Sequence, residues 1–137
     1  LEFNIARSQG QIVGIAVSTY TGMGYSGRIR AMVGFDPSGR IIDVVHLEHA
    51  ETPGLGDKID KSKSDWSDQF IGFDPSEKVL RVRKDGGDVD AITAATITAR
   101  AYSDAINRAW ETFMEHREVI LDSEMVQETA QNQTEGE

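Results

Sequence analysis

Thr93 and Thr96 are the residues whose type and spacing best suit holding an anion. They bracket two alanines in Asp90-Ala91-Ile92-Thr93-Ala94-Ala95-Thr96-Ile97-Thr98, and the longest helical pattern of the chain follows directly. Thr93 is expected to cap that helix, its hydroxyl accepting an early backbone N–H. Ala94, Ala95 and Thr96 then form a first turn whose N–H groups have no intrahelical partner. With the positive end of the helix dipole they make a phosphate site. Alanines let a phosphate approach the backbone, and Thr96 adds a hydroxyl. Arg81, Arg83 and Lys84, just upstream, offer cations in a chain of net charge −9. A plain N-cap on a surface helix would show the same residues.

A second stretch, Glu51-Thr52-Pro53-Gly54-Leu55-Gly56, combines a tight Pro-Gly turn with a hydroxyl and an apolar side chain. Gly54 and Gly56 let another group reach the backbone closely. Such a mixed wall suits a small-molecule ligand. An ordinary turn at a strand end fits the composition equally. His46 and His49 raise the question of a metal, but three apart on a strand they point to opposite faces. A third ligand would have to come from Glu48, Glu51 or farther away, and no metal is assigned. The Thr96 hydroxyl has no recognisable His or Lys beside it in sequence, so no catalytic residue is assigned either.

The elements that must position these stretches read as one α+β domain. The 137 residues suffice for one core and not two. Strands are expected over Ile12–Tyr20, Arg28–Phe35 and Arg40–Glu48, with a fourth over Lys78–Arg83. Short turns such as Asp36-Pro37-Ser38-Gly39 suggest a largely antiparallel meander. Gly22, Gly24 and Gly27 read as a hairpin connection. In Arg40–Glu48, Ile41, Val45 and Leu47 share a face. Asp57–Phe70 is expected to be partly helical, capped at Ser64 or Asp65, with Trp66 and Phe70 packing on the sheet or, as the alternative, edging the ligand pocket.

A long helix is expected from Thr93 to about Leu121. Ile97, Ala101, Ala105, Ala109 and Phe113, flanked by Tyr102, Ile106, Trp110 and Met114, form its core stripe. Residues 1–9 read as an N-terminal segment, weakly helical; residues 10–121 as the domain; residues 122–137 as a disordered acidic tail. Absence of cysteine removes disulfides, thiolate chemistry and iron–sulfur ligation. The acidic balance argues against nucleic-acid or anionic-membrane binding as the main activity.

Asp90-x-x-Thr93-Ala94-Ala95-Thr96 is similar to the Asp-x-x-(Ser/Thr)-Gly-Ala-Thr signature of the FMN-binding domain family. Glu51–Gly56 is similar to the Glu-Thr-Pro-Gly-Leu-Gly loop of the same family. Tyr25-Ser26-Gly27, Trp66 with Gln69-Phe70, and Lys84-Asp85-Gly86-Gly87 extend the resemblance to its Rnf-type branch, over roughly residues 10–120. The resemblance implies FMN carried on Thr96 through a phosphoester. Thr93, Ala94, Ala95, Thr52, Gly54, Leu55, Gly56, Glu51, Lys84 and Asp90 would surround it. It further implies a separate flavin transferase that uses FAD and a metal ion, with Asp90 and Thr93 as recognition and capping residues.

For the whole protein the resemblance implies an electron-carrier subunit without independent catalytic activity. Its setting would be a membrane-bound, ion-translocating ferredoxin:NAD oxidoreductase, with other redox subunits as partners. The domain would face the extracytoplasmic, periplasmic side, held by an N-terminal helix preceding Leu1. One departure stands out, since the family usually has glycine at Ala94. A Cβ is tolerated there in a helical turn with negative φ and strained where φ is positive. Two further readings remain: a noncovalent FMN module of another membrane-bound reductase or sensor, and a flavin-free interaction domain.

Overall fold

A computed structural model describes the backbone of residues 1–131 and the side chains of residues 1–122. Four strands, β1 (Glu2–Ser8), β2 (Gln11–Gly24), β3 (Gly27–Phe35) and β4 (Ile41–Glu48), form one sheet in the order β1-β2-β3-β4. Each pairs antiparallel with the next, so the sheet is a meander. One long helix, α1 (Thr96–Gln131), covers one face. The fold is α+β, as expected.

Alternation explains β2 and β3. Ile15, Val17, Thr19 and Thr21 of β2, with Ile29, Ala31, Val33 and Phe35 of β3, all point to the covered face and are buried. Ala101, Ala105 and Ala109 of α1 are fully buried. Their small size lets the helix lie close to the strands. The Thr19 hydroxyl donates to the Ala105 carbonyl at 2.9 Å. Phe35 and Phe113 stack with centroids 5.3 Å apart. Trp66 and Phe70 meet edge to face at 5.5 Å and pack, as expected, beside the sheet at β4, while both also contact Tyr102 of α1.

Several expectations are corrected. Residues 2–8 form an edge strand, because their backbone pairs with β2 from Glu2↔Ser18 to Ser8↔Gln11. Lys78–Arg83 is not a strand. It folds back on itself: the Asp88 N–H donates to Val79 O, the Val89 N–H to Arg81 O, and the Asp88 carboxylate accepts the Val79 N–H. Only a Val82↔Val89 bridge remains. In β4, Ile41 and Val44 are buried, while Val45 and Leu47 are exposed. Phe35 pairs with Ile41 and Gly34 with Asp43, so Ile42 is a bulge that reverses the alternation.

The stretch after Gly56 contains two short 3-10 helices, Gly56–Ile59 and Trp66–Phe70. The Ser64 hydroxyl accepts the Trp66 N–H at 3.1 Å. Asp65 makes no capping bond through its side chain. Helix α1 begins three residues later than expected and runs past Leu121 to Gln131. The acidic stretch at 122–131 therefore continues the helix, and the rest of the expected tail lies outside the described residues. No helix among the described residues is long and apolar enough to cross a membrane.

Candidate functional site

Two chain reversals of the same kind make the site. In Thr52-Pro53-Gly54-Leu55 the Leu55 N–H donates to Thr52 O at 3.0 Å, and Gly54 has φ +80°. In Ile92-Thr93-Ala94-Ala95 the Ala95 N–H donates to Ile92 O at 2.9 Å, and Ala94 has φ +63°. A positive φ at the third residue, after a negative one, is the type II turn, which favours glycine there. The first has glycine, preceded by the proline that presets φ. The second has alanine.

Thr93 consequently sits inside a turn and is exposed, not at the helix cap. The first intrahelical bond of α1 runs from the Ala99 N–H to Ala95 O, which makes Ala95 the capping position. Amides of Thr96, Ile97 and Thr98 are the unpartnered donors of the first turn. Ala94 is not in a helical turn, and its Cβ lies in the strained region of backbone space.

A cavity of ≈ 400 Å³ opens where the two turns meet. Its lining is Tyr25, Thr52, Leu55, Gly56, Ala94, Ala95, Thr96, Ile97 and Thr98. Small-molecule sites occupy about 300–1,000 Å³, so the space suits a cofactor. Threonine hydroxyls and helix amides form a polar end, suited to a phosphate. Tyr25, Leu55 and Ile97 add ring and aliphatic surface, suited to a flat ring system. These residues fit FMN in size and in donor set. A second, more apolar cavity of ≈ 370 Å³ lies on the opposite face of the sheet, lined among others by Ile5, Gly14, Gly34 and Val45.

The cavity brings together six of the residues expected around the phosphate and ring: Thr52, Leu55, Gly56, Ala94, Ala95 and Thr96. Tyr25, Ile97 and Thr98 join them. Ile97 belongs to the expected core stripe, yet it is 47% exposed and lines the cavity. The other expected residues stand outside. Gly54 is at the exposed tip of its turn, with its N–H on Asp57 Oδ1 at 2.9 Å.

Asp90 supports the turn from behind. Its carbonyl accepts the Trp66 indole N–H at 2.6 Å, and its N–H donates to Gln69 Oε1 at 2.8 Å. Its carboxylate pairs with Arg83 at 2.7 Å, which commits that guanidinium away from the cavity. Lys84 lies in a short 3-10 turn, Arg83–Asp85, off the cavity wall. Arg81 lines a separate cleft. None of these three cations lines the cavity, whose polar groups are amides and hydroxyls.

Glu51 is buried beneath the cavity. Its carboxylate accepts the Tyr25 N–H at 3.0 Å, the Ser26 N–H at 2.9 Å and the Thr98 hydroxyl at 2.5 Å. Gly56 packs directly on this group: a Cβ there would lie 2.6 Å from Thr98 Oγ1 and 2.8 Å from Glu51 Cβ. The Glu51 N–H in turn donates to His49 Nδ1 at 3.0 Å. That bond puts the proton of a neutral His49 ring on Nε2.

His46 and His49 do not diverge as strand alternation predicts, because β4 ends at Glu48. Their rings meet at 5.0 Å, and His46 Nε2 lies 3.8 Å from Asp60 Oδ2. The possible ligand atoms of the three lie within 4.8 Å of one another. No spacing in the sequence could show the third member, which arrives from the loop after Gly56. The Asp60 carboxyl is held below the usual range, first by the Ser62 N–H and hydroxyl.

Comparison with known proteins gives this geometry a family. The FMN-binding domain model matches residues 24–111. The G subunit of the ion-translocating oxidoreductase complex of Shewanella piezotolerans is 44% identical over 120 residues, covering 85% of this chain and 57% of the relative. The G subunit of the corresponding complex of Pseudomonas aeruginosa is 39% identical over 120 residues, covering 85% of this chain and 56% of its own. The chain therefore spans little more than half the length of these relatives. Among solved structures, the crystal structure of Shewanella oneidensis NqrC matches with a TM-score of 0.62 at 27% identity, over 83% of this chain and 58% of that one. Both turns and the whole cavity lie inside the matched span, and on that ground the chain belongs to the FMN-binding domain family.

Proposed function

We propose that this chain is the FMN-carrying part of a G-type subunit in a membrane-bound, ion-translocating oxidoreductase, with FMN joined to Thr96 by a phosphoester. The observation that carries the reading is the place of Thr96. Its side chain lines the cavity at the first residue of α1, where three helix amides have no partner inside the helix. Thr52 adds a hydroxyl, and Tyr25, Leu55 and Ile97 supply surface for a ring.

When bound, FMN supplies one- and two-electron transfer. The chain's residues tether and orient it. Among the described residues no His, Lys, Asp or Glu side chain lines the cavity beside Thr96, which suits attachment by a separate flavin transferase rather than by the chain itself. Thr96 would hold the FMN phosphate through its hydroxyl oxygen, with AMP of FAD as the leaving group and the hydroxyl proton passing to the transferase or water. Asp90, locked by Trp66, Gln69 and Arg83, holds the turn that presents Thr96. Association with other redox subunits, ion transport, electron flow between ferredoxin and NAD, and an extracytoplasmic position are inferred from kinship with the longer relatives.

Intact-mass measurement after co-expression with a flavin transferase tests the attachment. The wild-type chain is expected to gain one FMN less one water, and Thr96→Ala to gain nothing. A flavin mass that persists in Thr96→Ala moves the link to another residue. Flavin that co-purifies but is lost on denaturation supports the noncovalent reading instead. Ala94, which stands at positive φ where the family has glycine, is the observation that favours it.

A further inference from the structure

We infer that Glu51 is a positioning residue rather than a ligand of the cofactor: its buried carboxylate fixes Tyr25 and Thr98 as two walls of the cavity. The inference deepens the FMN reading and rests on it for the identity of the ligand. Glu51 is 4% exposed and does not line the cavity. Its charge is met by donors from segments far apart in sequence, the β2–β3 hairpin and the first turn of α1.

Tyr25 needs this support. It is 67% exposed and sits in a two-residue reversal between Gly24 and Gly27, which pair with each other. The hairpin cannot be stiffened at Gly24, where a Cβ would run into Gly27 O. Both amides of the reversal, Tyr25 and Ser26, go to one carboxylate, one to each oxygen. Thr98 takes a further lone pair on Oε1. The arrangement needs an acceptor on both ends. Glutamine presents an NH2 to one of the two amide donors, so the near-isosteric change breaks it. Gly56 packs so closely over Glu51 and Thr98 that a Cβ there would push against both partners of this bond.

Hydrogen exchange on the flavin-free chain, and iodide quenching of flavin fluorescence on the chain loaded by the transferase, test this. Glu51→Gln is expected to speed exchange at the Tyr25 and Ser26 amides about tenfold or more, leaving the middle of α1 unchanged. Iodide access to the flavin rises severalfold in Glu51→Gln and in Tyr25→Leu. The double variant rises no further, because Tyr25 is already released. Glu51→Asp keeps the charge but withdraws it by one methylene. It gives the same changes to a smaller degree, and it serves if Glu51→Gln does not fold. Unchanged exchange at Tyr25 and Ser26 in both variants overturns the inference, as do quenching effects that multiply in the double variant. A wild-type chain that takes up no flavin overturns the FMN reading alone, and the exchange measurement still decides the role of Glu51.

Discussion

Ala94 carries a methyl group where the backbone turns most easily without one. Its φ of +63° belongs to a region that costs an L-residue about 1–2 kcal/mol. Turn 92–95 keeps the shape its glycine-bearing counterpart 52–55 has, at the expense of that strain. Glycine at this position relieves the strain but adds freedom to the unfolded chain worth about 0.5–1 kcal/mol. Ala94→Gly is therefore expected to raise stability by about 0.5–1 kcal/mol, seen as a higher urea midpoint at unchanged slope. A lower midpoint would mean that the methyl group contributes packing that outweighs the strain.

At the scale of elements, α1 both covers the sheet and begins the site. Tyr102 lies on its buried side, against Trp66 and Phe70. Its hydroxyl has no hydrogen-bond partner among the described residues. Burial, with the Asp43 charge adding to it, pushes that hydroxyl well above the ordinary tyrosine range, so it stays protonated. A buried donor without a partner costs about 1–3 kcal/mol. Tyr102→Phe keeps the ring contacts and is expected to stabilise the fold by about 1 kcal/mol, raising Tm by a few degrees. A fall in Tm would show that the hydroxyl is satisfied in solution.

For the whole molecule, the carboxylates set the response to acid. At Asp36 burial opposes ionisation, but the Ser38 hydroxyl and the amides of Arg40, Ser38 and Gly39 outweigh it. Hydrogen bonds from Ser62 lower Asp60, those from Ser76 lower Asp74, and Arg100 lowers Asp85. Each folded value lies below the ordinary 3.8. Such groups stabilise the fold above their unfolded pKa, and the contribution disappears as pH falls through the folded value. Urea unfolding is expected to give similar stability at about pH 7 and 5 and a decline below about pH 4. Asp85→Asn should make that decline shallower. Stability that rises between about pH 4 and 3 would contradict this assignment.

Local chemistry in the sequence determined the turn at Pro53-Gly54, the alternation of β2 and β3, the four-residue rhythm of α1 and the meeting of helix and threonine at Thr96. These depend on neighbours within about four residues, which is the range over which backbone hydrogen bonding and side-chain period operate. Tertiary structure alone decided which residues share the cavity. The bulge at Ile42 exists because of how β3 pairs with β4, and residues 78–83 close on 88–89 instead of joining the sheet. Glu51 lies 26 residues from Tyr25 and 47 from Thr98, and the three meet only because the hairpin, the loop after β4 and the start of α1 converge. A donor and an acceptor that far apart leave no period or spacing in the chain; their match is written in space by the packing of the sheet on its helix.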